Sequence, residues 1–149
     1  MRDRSCDKPG YLSVHPGYAC QFPLTDRAVV NEMRKQNLLK DSIENMRVSS
    51  VVFVESYLQI VFDDYIFSMF VWPELLSGGK LFKYGNVGYT DLLTRLINHR
   101  VVEAIEAPEY ISILFASGEK LSVSLKEEDK SSVETATFNA IEGGLFIVW

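Results

Sequence analysis

The side chains that could do chemistry are few, and they are scattered along the chain. Cys6, Cys20, His15 and His99 follow no zinc-binding spacing, and no flanking motif marks a nucleophile. His99 falls at the end of a predicted helix, where a histidine commonly interacts with the helix dipole. We interpret the cysteines as free thiols, with a disulfide between them as the alternative. The sequence therefore predicts no catalytic set, no metal and no other cofactor.

Two glycine-rich stretches and one acidic pair also fall short of a recognisable site. Gly78-Gly79-Lys80 lacks the spacing of a phosphate-binding loop. Gly85 and Gly88 have the spacing of a nucleic-acid clamp, but the charge around them is not basic. Asp63-Asp64 has the composition of a hairpin turn, with a metal site as the less common alternative. These stretches therefore predict no enzyme.

Negative charge is concentrated in the second part of the chain. The net charge is -5, and residues 91–149 carry ten acidic and five basic side chains, so this part accounts for all of it. Such a surface repels nucleic acid and attracts basic proteins, although a solvated surface explains it equally well. If a partner binds, the acidic candidates are Asp63, Asp64, Glu103, Glu106 and Glu109.

Length and hydropathy predict one soluble domain over residues 1–149. A chain of 149 residues can bury a sizeable core without disulfides. No apolar run is long enough to cross a membrane, and the first residues lack the apolar segment of a signal peptide. We expect a cytoplasmic protein with no membrane contact.

The predicted elements form two similar units. Residues 1–37 form an N-terminal segment with a helix from Asp26, residues 38–73 a first repeat, 90–126 a second, and 143–149 a final strand. Each repeat has a short helix, a strand and a hairpin. The stretch 74–88 is predicted to be a loop, in which Leu81, Phe82 and Tyr84 form either a short edge strand or packing contacts.

A constant offset relates the repeats. Five identities recur 53 residues apart, and beyond the hairpin turn the offset becomes 54, which places Phe67 against Leu121. The identical pairs are Arg47/Arg100, Val48/Val101, Tyr57/Tyr110, Ile60/Ile113 and Phe62/Phe115. The predicted fold class is therefore α+β: internally duplicated helix–β-hairpin units form one mainly antiparallel sheet, with helices packed on one face.

The repeats differ on one face of the second hairpin strand. Positions that are Ser124 and Lys126 in the second repeat are Phe70 and Trp72 in the first. A solvated face in one copy is thus aromatic in the other. Either the N-terminal segment covers Phe70 and Trp72, through the aromatic residues Tyr11, Tyr18 and Phe22, or a partner does.

Several short motifs in residues 38–149 resemble a family of small bacterial proteins of unknown function. Proteins of this sort are similar to immunity proteins that accompany secreted bacterial toxins. The resemblance implies no catalytic residues. The motifs are Gly88-Tyr89 with Asp91, Ser117-Gly118, Ser124-Leu125 with Glu128-Asp129, Glu134 with Ala136 and Phe138, and Val148-Trp149.

These observations favour a non-enzymatic binding protein that occludes a cognate toxin, with a basic toxin domain as the partner. Acidic and aromatic side chains would make the contact. One alternative is a structural module that forms a homodimer through Phe70 and Trp72. Another is a small-ligand domain with a pocket beneath the 77–88 loop.

Overall fold

The computed structural model of the protein describes residues 38–149, and Asn37–Trp149 form one compact unit. The predictions for the helix from Asp26, the cysteines, His15 and the N-terminal aromatic residues lie outside the described residues. The helices are α1 (Leu38–Ile43) and α2 (Tyr89–Arg95), with a short 3-10 turn at Glu127–Asp129. The strands are β1 (Val48–Val54), β2 (Tyr57–Phe62), β3 (Tyr65–Met69), β4 (Glu74–Ser77), β5 (Lys80–Phe82), β6 (Val101–Ala107), β7 (Tyr110–Phe115), β8 (Lys120–Ser124), β9 (Ala136–Ala140) and β10 (Phe146–Val148).

The strands form two antiparallel sheets, so the α+β, mainly antiparallel prediction is confirmed and the single sheet is wrong. The first sheet has the order β1-β2-β3-β9-β10, and the second has β5-β4-β8-β7-β6. Alternating apolar residues identify a strand and its buried face, but they do not say which other strand it pairs with. The single sheet was an inference about pairing, and that inference failed.

Each sheet is completed by a hairpin from the other half of the chain. After β3 the chain leaves the first sheet, and β4 pairs with β8 of the second through Leu75 and Leu121. After β8 the chain returns, and β9 pairs with β3 through Phe138 and Phe67. The two halves of the chain therefore exchange their outer hairpins: the first sheet joins β1–β3 to β9–β10, whereas the second sheet is formed by the consecutive strands β4–β8.

The stretch 74–88, predicted as a loop, holds one of these exchanged hairpins. Strands β4 and β5 pair through Leu75 and Phe82 around a turn with Gly78 and Gly79, both at positive φ. The other exchanged hairpin, β9–β10, also turns through two glycines at positive φ, Gly143 and Gly144. Positive φ is readily adopted by glycine, which explains why this dipeptide occurs at both turns.

Corresponding rows of side chains cross the two sheets in the same register. We call two residues equivalent when they hold the same place in these rows. In the first sheet one row is Val51, Ile60, Phe67, Phe138 and Ile147. The equivalent row in the second sheet is Ala104, Ile113, Leu121, Leu75 and Phe82.

The two halves meet where their first strands begin. Arg47 and Arg100 face each other in an isolated antiparallel bridge. Backbone hydrogen bonds flank the bridge in matched pairs: Asn45 N to Val101 O is 2.9 Å, and Asn98 N to Val48 O is 2.7 Å. Asn45 and Asn98 both have positive φ, 70° and 75°. A local two-fold arrangement therefore relates the strand beginnings.

One continuous hydrophobic core is shared by the sheets and helices. Leu39 and Ile43 of α1 and Leu93 of α2 are fully buried. Helix α1 contacts β6, and α2 contacts β4 and β1, so each helix packs on strands of the other half. Within residues 38–149, no helix has the length and apolar content needed to cross a membrane.

Candidate functional site

A groove of about 720 Å³ lies where the chain crosses between the sheets, and we call it the crossover groove. The segment after β3 forms one side. The segment from β8 past the 3-10 turn forms another, with the start of β7 completing the lining. Its residues are Phe70, Val71, Trp72, Glu74, Glu109, Tyr110, Ser122, Val123, Ser124, Lys126, Asp129 and Ser131.

Aromatic side chains from neighbouring segments hold the apolar side of the groove in place. The Trp72 ring stacks on Tyr84, with centroids 4.0 Å apart and planes 17° from parallel. Phe70 packs against Tyr57 at a centroid distance of 5.2 Å. Both residues stay half-buried, with part of each ring lining the groove. Residues of the same chain therefore cover part of the predicted aromatic face, and the groove exposes the rest.

Tyr89 contacts this aromatic side from the protein interior. Its ring is buried and meets Tyr84 edge-on at 6.1 Å, while its hydroxyl donates a 2.6 Å hydrogen bond to the Pro73 carbonyl. Burial, with the nearby Tyr84 and Glu74 as smaller causes, raises the pKa of Tyr89 well above its ordinary value. The phenol therefore stays protonated and keeps donating to the segment that carries Trp72.

Hydroxyl groups order the opposite side. Ser124 Oγ donates to Asp129 Oδ2 at 2.5 Å, which fixes the 3-10 turn against β8. Ser131 Oγ donates to the Phe70 carbonyl at 3.0 Å. This second bond ties the outgoing segment directly to the aromatic segment.

Acidic side chains outnumber basic ones along the groove. Glu74, Glu109 and Asp129 line it, against Lys126 alone. The Lys126–Glu109 pair is 3.8 Å apart, with the two side chains 48% and 71% exposed. Exposed pairs at this distance contribute little to stability, so both side chains are free to exchange partners. The groove thus combines aromatic surface with a surplus of negative charge.

Equivalent positions from the two halves meet in this groove. Phe70 and Trp72 line it, and so do Ser124 and Lys126, which follow them at an offset of 54 residues. The aromatic and the polar positions that the sequence contrasts therefore line a single groove.

The structure brings together three of the seven predicted contact residues, Phe70, Trp72 and Glu109. Asp63 and Asp64 are exposed in the β2–β3 turn and do not line the groove. Glu103 is exposed on β6, with Leu114 as its cross-strand partner. The predicted acidic set is thus divided among separate surfaces.

Glu106 has a structural contact instead. Its carboxylate accepts a 3.1 Å hydrogen bond from the Leu39 backbone N–H in the first turn of α1. Burial raises the pKa of this carboxyl, and the hydrogen bond from Leu39 partly offsets that effect. Glu106 is equivalent to Phe53 in the other half, so a position that is apolar in the first half makes a polar contact with a helix in the second.

Sequence reasoning missed the polar side of the groove. Asp129, Ser131 and Tyr110 were not predicted as contact residues, because their proximity depends on the crossing of the two segments. One signal was available: Gly78-Gly79 and Gly143-Gly144 are each followed within two residues by Leu-Phe. Aligning these dipeptides would have extended the repeat to the exchanged hairpins and so to the crossover.

Other candidate chemistry is sparse across the described part of the chain. No group of three or more His, Cys, Asp or Glu side chains there has the geometry to hold a metal ion. The Nδ1 of His99 lies 2.7 Å from the Arg95 carbonyl and donates to it. Hydrogen bonding, chiefly from Ser117, lowers the pKa of Glu119, which also accepts from Ser77 Oγ at 3.2 Å.

The 77–88 loop contributes to the site through Tyr84, which stacks on Trp72. None of its residues lines the crossover groove. Asn86 organises the loop: its side chain accepts from the Lys83 backbone N–H at 2.8 Å, and its carbonyl accepts from the Tyr89 N–H at 3.1 Å. The loop thereby carries Tyr84 to its stack on Trp72.

No family model matches the chain, no curated protein matches it, and no solved structure matches it.

Proposed function

We propose that this chain is a cytoplasmic, non-enzymatic binding protein that acts as an immunity protein. It would neutralise a cognate bacterial toxin by binding it and covering its active site or substrate-binding surface. The crossover groove carries the proposal, because it combines exposed aromatic surface with Glu74, Glu109 and Asp129. Protein interfaces favour aromatic anchors inside a polar rim, and complementary charge speeds association with a basic partner.

We also infer that the two halves descend from a duplicated unit of one helix and five strands, with a helix packed on each sheet. The matched rows and the matched hydrogen bonds around Arg47 and Arg100 support this inference. Exchange of the outer hairpins holds the two sides of the groove on one scaffold. A preorganised groove loses less entropy on binding, which suits an inhibitor that must bind tightly.

Co-expression tests the function directly. The full chain would be produced together with the product of the adjacent gene, and cell survival and complex formation would be measured. Protection with a stable complex is expected. The proposal is overturned if the two proteins form no complex and the chain gives no protection.

The structural alternative is supported by a different surface. Phe146 and Val148 on the edge strand β10 are 67% and 45% exposed, more than the half-buried Phe70 and Trp72. An exposed edge strand with apolar side chains is suited to pairing with a second copy. Sedimentation at increasing concentration would decide it: a dimer that Phe146→Lys abolishes favours this role, and a monomer throughout removes it.

The small-ligand alternative, which the sequence located beneath the 77–88 loop, is supported by the size of the crossover groove. The volume of the crossover groove lies within the range of small-molecule sites, about 300–1,000 Å³. Its open, acidic lining suits a protein side chain better than an enclosed apolar ligand.

A further inference from the structure

The crossover groove has the chemistry to receive one particular kind of side chain. Its acidic residues come from three separate segments: Glu74 opens β4, Glu109 precedes β7, and Asp129 closes the 3-10 turn. Each carboxylate already has one partner, yet each can accept about four hydrogen bonds when ionised. These three carboxylates can therefore accept further hydrogen bonds from a group that enters the groove.

The existing partners leave that capacity accessible. Glu74 pairs with Lys83 at 3.1 Å, and Lys83 does not line the groove. Asp129 accepts a neutral hydroxyl from Ser124, which leaves its negative charge uncompensated by that bond. Lys126 pairs with Glu109 at 3.8 Å, and this pair is exposed. A second cation could therefore enter without breaking a buried ion pair.

The aromatic side favours a flat cation. Tyr84 stacks on one face of the Trp72 indole. The part of the indole that lines the groove is therefore the part that Tyr84 does not cover. Phe70, tilted against Tyr57, adds a second apolar ring. Guanidinium groups stack on aromatic rings and bind carboxylates through two parallel hydrogen bonds, whereas an ammonium is a hydrated point charge.

We propose that the crossover groove binds an arginine side chain presented on an exposed segment of the basic partner, with the guanidinium between the aromatic side and Glu109 or Asp129. This rests on the proposed function, and it names the chemistry of the partner. The stem of the arginine packs on Phe70 and Trp72, and Tyr110 and the serine hydroxyls line the space around it.

A blocked peptide, Gly-Gly-Arg-Gly-Gly, tests the groove on the intact chain without the partner. Added to ¹⁵N-labelled protein, it is expected to shift amide resonances of residues 70–74, 109–110 and 122–131. The same peptide with citrulline, which keeps the stem and loses the charge, is expected to shift them far less. Shifts that are equal for both peptides, or that fall outside these residues, overturn the proposal.

Matched variants locate the contact. Asp129→Asn combined with Glu109→Gln is expected to weaken arginine-peptide binding by about tenfold or more, because it removes two charge-assisted acceptors. Glu128→Gln is the control, since Glu128 neighbours Asp129 in the same 3-10 turn but does not line the groove. Trp72→Leu should also weaken binding, with Phe146→Leu as its control. Unchanged affinity in both groove variants overturns the assignment.

The same variants separate this inference from the function on which it rests. If the toxin binds wild-type and groove variants equally well, the arginine site is wrong and the immunity role stands. If the arginine peptide binds the groove but no toxin is neutralised, the site stands and the immunity role fails.

Discussion

Arg47 and Arg100 pair with each other across an antiparallel bridge, although 53 residues separate them in the sequence. Their side chains reach opposite halves: Arg100 Nη1 donates to the Asn45 carbonyl at 2.6 Å, and Arg47 Nη1 donates to Asn98 Oδ1 at 3.3 Å. Each guanidinium thus donates to an asparagine in the other half. This point is where the two sheets begin.

The left-handed asparagines beside this bridge give the first prediction. Asn45→Ala and Asn98→Ala should each lower the free energy of unfolding by roughly 1 kcal/mol, because alanine tolerates positive φ less well than asparagine. Urea denaturation measures the change. Asn45→Gly is the matched control and should cost nothing, since glycine adopts this conformation freely. Equal losses for alanine and glycine would contradict the backbone explanation.

The Tyr89 hydroxyl gives the second prediction. Tyr89→Phe removes the 2.6 Å bond to Pro73 O and leaves a buried carbonyl without its donor. We expect a loss of about 1–2 kcal/mol in the free energy of unfolding. Tyr84→Phe is the control, because Tyr84 is 59% exposed and its ring keeps the stack on Trp72. A loss no larger than that of the control would show that the Pro73 bond contributes little.

Glu106 gives a prediction about pH. Burial raises its pKa in the folded state, so the stability that it contributes is fully present below the ordinary pKa of 4.5 and is lost as pH rises through the folded-state value. Glu106→Gln stays neutral and retains an acceptor for Leu39 N–H. The variant should therefore melt at a higher temperature than wild type at neutral pH, and at the same temperature below pH 4.5.

Glu103→Gln is the control for this comparison, because Glu103 is an exposed acidic residue on the same strand. The difference between Glu103→Gln and wild type should not change in the same way with pH. A Glu106→Gln protein that melts below wild type at neutral pH would mean that the ionised carboxylate stabilises α1 more than burial destabilises it.

The exchanged hairpins give a prediction about fragments. A break after Val87, which is 97% exposed, separates β1–β5 from β6–β10. Fragments 1–87 and 88–149 should fold only when mixed, because each sheet needs a hairpin from the other fragment. Gel filtration and amide NMR spectra check for a one-to-one complex with the native spectrum. A folded, monomeric 1–87 fragment would contradict the exchange.

Local sequence patterns predicted the hairpins but not their exchange. Alternation in Tyr57–Phe62 and around Ile113 identified strands, and the change of offset from 53 to 54 agrees with the registers Ile60–Phe67 and Ile113–Leu121. Strand pairing over longer distances depends on which apolar faces fit together in the folded chain. No short pattern carries that information.

The candidate site was predictable to the same extent. Phe70 and Trp72 stood out because their equivalents are Ser124 and Lys126, and comparing the repeats was enough to find them. Their meeting with Asp129 and Ser131 was not predictable, because it requires the segments after β3 and β8 to cross. The burial of Glu106 was not predictable either, because the alternation of apolar and polar residues along β6 does not show that a helix from the other half packs against this strand.

The exchange of hairpins also sets an order of events during synthesis. All five strands of the second sheet, β4–β8, are synthesised before β9 and β10, so that sheet can close first. The first sheet is complete only after β9 and β10 have been made. Until then, the edge of β3 that pairs with β9, where Phe67 lies opposite Phe138, has no partner strand from this sheet. Pairings between segments so far apart in sequence form slowly. The nascent chain therefore exposes the edge of β3 for as long as ribosomes take to translate the intervening residues, and this edge is where chaperones or premature association would act.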